Sequence, residues 1–339
     1  MARGHSLEID GHRIALTNLT KVLYPPVSGP DGPTPAVRKF EVIDYYTRVA
    51  DIMLPHLYGR LITRKRWPNG IASASFFEKD LPASTPDWVP RFRVEHREGP
   101  VTYVMADSAA TLVWLAQLAA LELHTPQWRV PPLTDDEPGA ARLHTQLITD
   151  HRTNRLVLDL DPGPSVSLNR CAEVALLVKE ILSAVHLPSY PVTSGSKGIH
   201  VYARFDKPVA ADSARTVAHE IAHSLAGRHP HLITASMSAS ERAGRVFIDW
   251  SQNSAAKTTL APYSLRGRTQ PWVAAPRTWA EIASGKLTQL LYPEVLDRIR
   301  DGDLLGDLDA PYAPDSTATP SDHVIDLREY RRKRNESIT

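Results

Sequence analysis

The sequence predicts an α+β fold. Three observations carry that expectation. Strand-like and helix-like stretches follow one another irregularly, without the strict strand–helix alternation of a parallel sheet. No internal repeat recurs along the 339 residues, a length that suits one large domain or two intimate ones. Apolar residues make up 42% of the chain, enough to build a core, and no apolar stretch reaches the length of a membrane span.

Taken in order, Leu7–Leu16 reads as a hairpin around Asp10-Gly11, a favoured turn pair. Residues 25–36 hold five prolines and two glycines and predict a loop. Val42, Tyr45, Tyr46, Val49, Ile52 and Met53 have helical spacing, so a helix is expected from about Val37 to Leu54, ending before Pro55. Arg64–Gly70 predicts a strand running into a turn. Residues 107–123, rich in Ala and Leu, predict a buried helix, and Val130–Asn154 a surface loop.

Next comes Arg155-Leu-Val-Leu-Asp-Leu-Asp-Pro-Gly163. On a strand, Leu156, Leu158 and Leu160 face one way and Val157, Asp159 and Asp161 the other. Ser167 caps an expected helix carrying Val174, Leu177, Ile181 and Leu182. Tyr190–Thr193 and Ile199–Tyr202 predict strands, Asp212–Leu225 a helix and Arg245–Trp250 a strand. Thr278 and Glu281 form a capping box for a helix starting at Trp279. Residues 313–322 predict a flexible link to the basic run Arg331-Arg-Lys-Arg334.

Charge and cysteine usage narrow the function. The net charge of +1 gives no general argument for nucleic acid, although Arg60, Arg64, Lys65 and Arg66 cluster. The single cysteine, Cys171, excludes an intramolecular disulfide and a cysteine-rich zinc module. The N-terminus lacks the apolar run of a signal peptide, so a soluble cytoplasmic protein without membrane contact is expected.

The acids carry the chemistry. Neighbouring carboxylates on one strand face repel unless a cation lies between them, and hard oxygen donors suit Mg²⁺ or Mn²⁺. Asp-Pro-Gly is also a good turn, so the pair alone does not decide the matter. Asp249, after Val246-Phe-Ile248, is a third strand acid, costly to bury unless it is paired or metal-bound. Thr193-Ser-Gly-Ser-Lys-Gly198 offers small residues, hydroxyls and Lys197 for a phosphate, without Walker A spacing. Arg266 and Arg268 share a face if extended and suit phosphate oxygens. Acids for metals and cations for a triphosphate make a kit for two-metal phosphoryl or nucleotidyl transfer.

Leu158–Gly163, Thr193–His200, Phe247–Asn253 and Ala261–Arg268 together resemble the polymerase domain of bacterial ligase D, a branch of the archaeo-eukaryotic primase superfamily. Leu16–Pro25, Thr63–Gly70, Phe76–Lys79 and Leu123–Trp128 extend the resemblance, which runs from about Leu16 to about Leu305. It implies a primase-polymerase core: an RRM-like palm over about 151–312, interlocked with an N-terminal α/β subdomain over about 1–150, and a flexible basic tail over 313–339. It implies a stand-alone, monomeric relative of the mycobacterial type.

By the same resemblance, Asp159, Asp161 and Asp249 are metal-binding catalytic acids for two Mn²⁺ or Mg²⁺ ions. His124, Ser194, Lys197, His200, Gln252, Arg266 and Arg268 contact the incoming NTP or dNTP. Lys21 and Lys39 hold a downstream 5′-phosphate, and Phe76 and Phe77 stack on template bases. The implied activity is template-dependent gap filling or end extension in DNA repair, by end joining or excision repair, with a preference for ribonucleotides. No Lys-x-Asp-Gly nucleotidyl-lysine motif is present, so joining is expected to come from a separate ligase, and an end-binding protein is the other expected partner. The loop Pro25–Pro35 is longer than expected of the ligase-fused domain. Alternatives are a primase that starts chains de novo, disfavoured by the missing zinc module, a non-catalytic module bridging DNA ends, and a metal-dependent nuclease.

Overall fold

The computed structural model describes residues 5–29, 32–96, 98–130, 143–146 and 150–310. The opening hairpin forms as expected. Strands β1 (His5–Ile9) and β2 (His12–Leu16) pair across Asp10 and Gly11, both at positive φ. Asp10 then caps the Ala110 N–H, 100 residues away. Strands β3 (Val22–Tyr24) and β6 (Val37–Arg38) pair and enclose a short hairpin of β4 (Val27–Gly29) and β5 (Gly32–Thr34). The proline-rich stretch is therefore a hairpin rather than an open loop; its tip, 30–31, lies outside the described residues.

The helix expected over 37–54 is two helices, α1 (Lys39–Arg48) and α2 (Ala50–Leu57), broken at Val49. Helix α2 runs through Pro55 rather than stopping before it. Proline lacks the N–H that would reach Asp51, and both residues lie at the exposed surface, where water can serve the freed carbonyl. Strands β7 (Thr63–Arg66) and β8 (Phe76–Glu78) follow, then β9 (Arg91–His96) and β10 (Gly99–Val104).

The expected helix over 107–123 is shorter. Helix α3 (Ala109–Gln117) stops, Ala119 takes φ 55°, and β11 (Ala120–Thr125) begins. Within the stretch read as loop, Leu143–Gln146 forms β12 beside β9, and 131–142 and 147–149 lie outside the described residues.

Strand β13 (Arg152–Pro162) leads to α4 (Leu168–Ala184), β14 (Ser189–Thr193), β15 (Ile199–Ala210) and α5 (Ala211–Arg228). Then come β16 (Ile233–Thr234), β17 (Val246–Asp249), β18 (Thr259–Leu260), β19 (Ala275–Pro276), α6 (Trp279–Ala283) and α7 (Tyr292–Arg298). The expected caps are present. Ser167 accepts from Arg170 N–H at 3.3 Å, and Thr278 and Glu281 cap each other. The expected link and basic tail lie outside the described residues.

Two sheets matter for the site. One has the order β16-β17-β13-β15-β14-β19, mixed in direction, with β13 near its centre. The other has the order β18-β11-β7-β8. Alternation along β13 sorts its side chains between two cores. Leu156, Leu158 and Leu160 join one core with Val174 and Val178 of α4 and Ile221 and Leu225 of α5. Val157 joins the other, with Val192, Tyr202 and, from the N-terminal half, Tyr45, Tyr46, Met53 and Leu123. Each such leucine contributes about 1.5–3 kcal/mol by leaving water, so β13 cannot slip by one residue without exposing one core and burying the acids in it. This is an α+β fold. No helix among the described residues is long and apolar enough to cross a membrane.

Candidate nucleotidyl-transfer site

The register brings the acids together. Asp159 of β13 stands directly opposite Asp249 of β17 and, on its other side, opposite His200 of β15. Asp161 follows two residues along the same face. Burial, and then the charges of Asp161 and Asp249, raise Asp159 well above the usual carboxylate range. Burial and the Asp249 charge also raise Asp161, with Arg242 and Arg266 opposing. Asp249 turns its oxygens to the 3₁₀ turn Trp250–Asn253, accepting from Ser251 N–H at 3.0 Å, Ser251 Oγ–H at 2.6 Å and Gln252 Nε2–H at 2.9 Å.

His200 is neutral. Burial first, then the charges of Arg266 and His124, push it down to about 3. Its Nε2 is 3.6 Å from Asp159, too long for a hydrogen bond, and its buried Nδ1 has no partner among the described residues. The buried Gln252 Oε1 likewise has none among the described residues. Both open polar atoms belong to the residues around the acids.

The Thr193–Gly198 turn joins β14 to β15 beside β13. Ser194 and Gly198 pair through their backbones, and Ser194 Oγ accepts the Gly198 N–H at 3.1 Å. A Cβ on Gly198 would lie 2.2 Å from the Leu160 carbonyl oxygen, so only glycine lets the turn sit this close to the acid strand. Lys197 stands exposed at its tip.

Arg266 and Arg268 are not extended. The Arg268 N–H bonds to the Arg266 carbonyl at 2.9 Å, closing a tight turn. Arg266 therefore points inward, toward Glu122, whereas Arg268 stays exposed. The Tyr24 hydroxyl donates to the Arg266 carbonyl at 3.0 Å and fixes the turn from 242 residues away.

His124 lies on β11, two residues from Glu122 and on the same face. Its Nε2 is 2.8 Å from Glu122 Oε2. Burial alone would raise Glu122, but the hydrogen bond from His124 and the Arg266 charge outweigh it and hold Glu122 at about 2. Burial lowers His124 despite that neighbour. Sequence reasoning passed over Glu122. An acid inside Leu121-Glu-Leu-His124 carries the same signal as Asp249, but a helical reading of this stretch hid the strand face. It also passed over Arg242, which stacks 3.7 Å from the Phe247 ring centre and acts on Asp161.

The smaller sheet forms a wall. Glu122 pairs in register with Lys65, and Lys65 with Phe77, so Glu122, His124, Lys65 and Phe77 share one face. Arg64, Arg66, Phe76 and Glu78 share the other. Phe76 and Phe77, at 45% and 58% exposure, thus stand on opposite faces and neither is core. Phe77 packs edge-on against His124, at 5.4 Å between ring centres. Arg66 lies over Phe76 at 5.4 Å. On that side Lys39 bonds to Thr17 O, and Lys21 to Pro68 O and Asn69. Burial, then the charges of Lys21 and Arg66, lower Lys39 to about 8, which ties these three cations into one positive region.

Comparison with known proteins identifies the family. Residues 38–305 match the family model described as LigD, primase-polymerase domain. The chain is 50% identical over 329 residues to the multifunctional non-homologous end joining DNA repair protein LigD of Mycobacterium tuberculosis, covering 96% of this chain and 40% of that protein. It is 31% identical over 265 residues to the bifunctional non-homologous end joining protein LigD of Bacillus subtilis, covering 77% of this chain and 40% of that one. The chain thus spans about 40% of the length of these curated relatives. The solved polymerase domain of Mycobacterium tuberculosis ligase D in complex with DNA superposes with a TM-score of 0.78 at 50% identity, covering 88% of this chain and 99% of that domain. A match this long, over a fold with the acids on adjacent strands, makes the chain a member of the LigD primase-polymerase domain family.

Proposed function

We propose that the protein is a template-dependent, DNA-directed nucleotidyltransferase that fills short gaps or extends ends during DNA repair. The observation that carries this reading is the cross-strand pairing of Asp159 with Asp249, with Asp161 on the same face and the Lys197 turn and Arg266 beside them. Membership of the family, and a relative solved in complex with DNA, support it.

The donor set fits hard divalent ions. It is all oxygen, and its charged form is held at a cost that a cation would relieve. Among the described residues, no three His, Cys, Asp or Glu side chains already form a metal cage. Sites for Mg²⁺ commonly complete their shell with substrate phosphates and water, so an open set suits a nucleotide-dependent site. Asp159, Asp161 and Asp249 would hold two Mg²⁺ or Mn²⁺ ions. When bound, such ions would supply acidification of the primer 3′-hydroxyl and neutralisation of charge on the leaving pyrophosphate.

The chain's own residues do the rest. Ser194 and Lys197 offer donors to the triphosphate, and Arg266 and Arg268 add charge along it. His124, His200 and Gln252 orient the nucleotide. Across the wall, Lys21 and Lys39 receive a 5′-phosphate, and Phe76 on that side and Phe77 on the nucleotide side offer ring faces to template bases. Ribonucleotide preference, monomeric state and a separate ligase and end-binding protein belong to the same reading. So does the division near residue 150 into an N-terminal part and a palm. A core drawing Val157 and Tyr202 together with Tyr45 and Leu123 supports an interlocked pair rather than two free units.

A gapped duplex with or without a 5′-phosphate, incubated with Mn²⁺ and either NTP or dNTP, tests the proposal. The expected result is extension that the phosphate stimulates and that Asp159→Ala abolishes. No extension, or undiminished extension by the variant, overturns it.

A further inference from the structure

Glu122 has no role in the scheme above, yet its surroundings are specific. It lies between Leu121 and Leu123 on β11 and is 3% exposed. Its carboxylate accepts from three N–H groups. His124 Nε2 and Arg266 NH1 approach Oε2 at 2.8 Å and 3.4 Å, and the Gly267 N–H approaches Oε1 at 3.0 Å. Lys65 is its register partner, but the Lys65 ammonium lies over the Trp67 and Phe77 rings at 4.9 Å and 5.0 Å. The nearest cation in the sheet is thereby drawn elsewhere, and the carboxylate serves His124 and the Arg266 turn.

This contact defines the state of the imidazole. An ionised carboxylate only accepts, so His124 Nε2 carries the proton that faces it. The other ring nitrogen of the neutral histidine, Nδ1, is then an acceptor, suited to receive a hydroxyl or amine proton and unable to donate to a phosphate. The same carboxylate sets the direction of Arg266. The backbone of that turn is held twice, by Glu122 on Gly267 and by Tyr24 on the Arg266 carbonyl.

We propose that Glu122 is a positioning residue of the nucleotide site: through one carboxylate it fixes the tautomer of His124 and the approach of the Arg266 guanidinium. The proposal rests on the reading of His124 and Arg266 as nucleotide contacts. A purely structural ion pair would affect folding alone. A positioning residue changes nucleotide binding and the imidazole tautomer in a protein that still folds.

The test combines nitrogen NMR of the His124 ring in metal-free protein with calorimetric binding of GTP in Mn²⁺. The proteins are the parent, Glu122→Gln, His124→Ala, Arg266→Ala, the His124→Ala/Arg266→Ala pair, and that pair with Glu122→Gln added. Melting temperature checks the fold of each. The expected result is a single tautomer in the parent, mixed tautomers in Glu122→Gln, and GTP affinity about tenfold weaker, the effect of losing one charge-assisted hydrogen bond. In the double-variant background the same change adds less than about twofold, because its targets are gone.

If His124→Ala and Arg266→Ala weaken binding while Glu122→Gln leaves affinity and tautomer unchanged, the positioning role is overturned and the nucleotide reading stands. If the two alanine variants bind like the parent, the nucleotide reading falls and takes this proposal with it. Should Glu122→Gln fail to fold, Glu122→Asp keeps the charge but withdraws it by one methylene, and is read by the same measurements.

Discussion

Replacing Asp309 by Asn will unfold the protein far more readily than its place near the end of the described chain suggests. Asp309 is 6% exposed. Its Oδ1 accepts from Arg60 at 2.7 Å, Arg129 at 2.9 Å and Asn154 at 3.0 Å. Its Oδ2 accepts from His56 Nδ1 at 3.0 Å and from Arg155. Arg60 and Arg155 are both 0% exposed, so neither can turn to water once the charge is gone. Removing one partner of a buried pair costs about 3–5 kcal/mol, because the other is left uncompensated. At about 2–4 °C per kcal/mol for a chain of a few hundred residues, the melting temperature should fall by about 6–20 °C. Thermal melts at pH 6 by circular dichroism measure this, with the exposed Asp301→Asn as the control. A shift within about 2 °C would refute the reasoning, since it would mean the arginines find solvent or other partners. The family match ends at residue 305, so a chain stopped there also loses the clasp between α2, β13 and Asp309 and should melt like the variant.

Three further outcomes are expected. Burial alone would lower His56, but its hydrogen bonds to Asp303 and Asp309 outweigh burial and raise it above 6.5. That contribution is complete below pH about 6.5 and is lost as pH rises through the folded value, so stability should decline on the alkaline side. His56→Gln should flatten that limb in melts from pH 5 to 9, and an unchanged slope would count against the assignment. Asp159→Asn should raise the melting temperature of the metal-free protein, on the order of 1 kcal/mol, by relieving burial and repulsion at Asp159 while abolishing nucleotide addition; a destabilised variant would contradict the repulsion argument. Gly198→Ala places a Cβ 2.2 Å from Leu160 O, so it should cost about 1–3 kcal/mol and weaken GTP binding in Mn²⁺, read by melting and calorimetry together. Parent-like values for both would mean that the turn has slack.

Much of the fold was legible because its signals are local. Strand β13 announced itself by alternation, and Leu156, Leu158 and Leu160 do enter one core while Val157 enters the other. The Asp10-Gly11 turn, the Ser167 cap and the Thr278–Glu281 box are side-chain or backbone chemistry within four residues, and each appears. The errors fall where local signal is absent. Residues 107–123 are apolar throughout, so periodicity could not separate α3 from β11; the left-handed Ala119 and pairing with β7 and β18 decide it. Pro55 looked like a stop, but an exposed helix edge tolerates the missing N–H. Arg266 and Arg268 looked like an extended pair, and a tight turn separates them.

By itself the sequence determined the identity and spacing of the chemical groups: acids two apart on a strand, a glycine-lined lysine turn and a proline-glycine stop. Those follow from residue type and from the two-residue period of an extended chain. Only the tertiary structure decided which groups meet. It set Asp249 opposite Asp159 across 90 residues and brought Arg266 to Glu122 across 144. It also split Phe76 and Phe77 between the two faces of the small sheet, and surrounded Asp309 with His56, Arg60, Arg129 and Arg155. The reason is physical. Register and burial are settled by the cores on both sides of β13, so the charge on a buried carboxylate is governed by neighbours distant in sequence, and no local pattern names them.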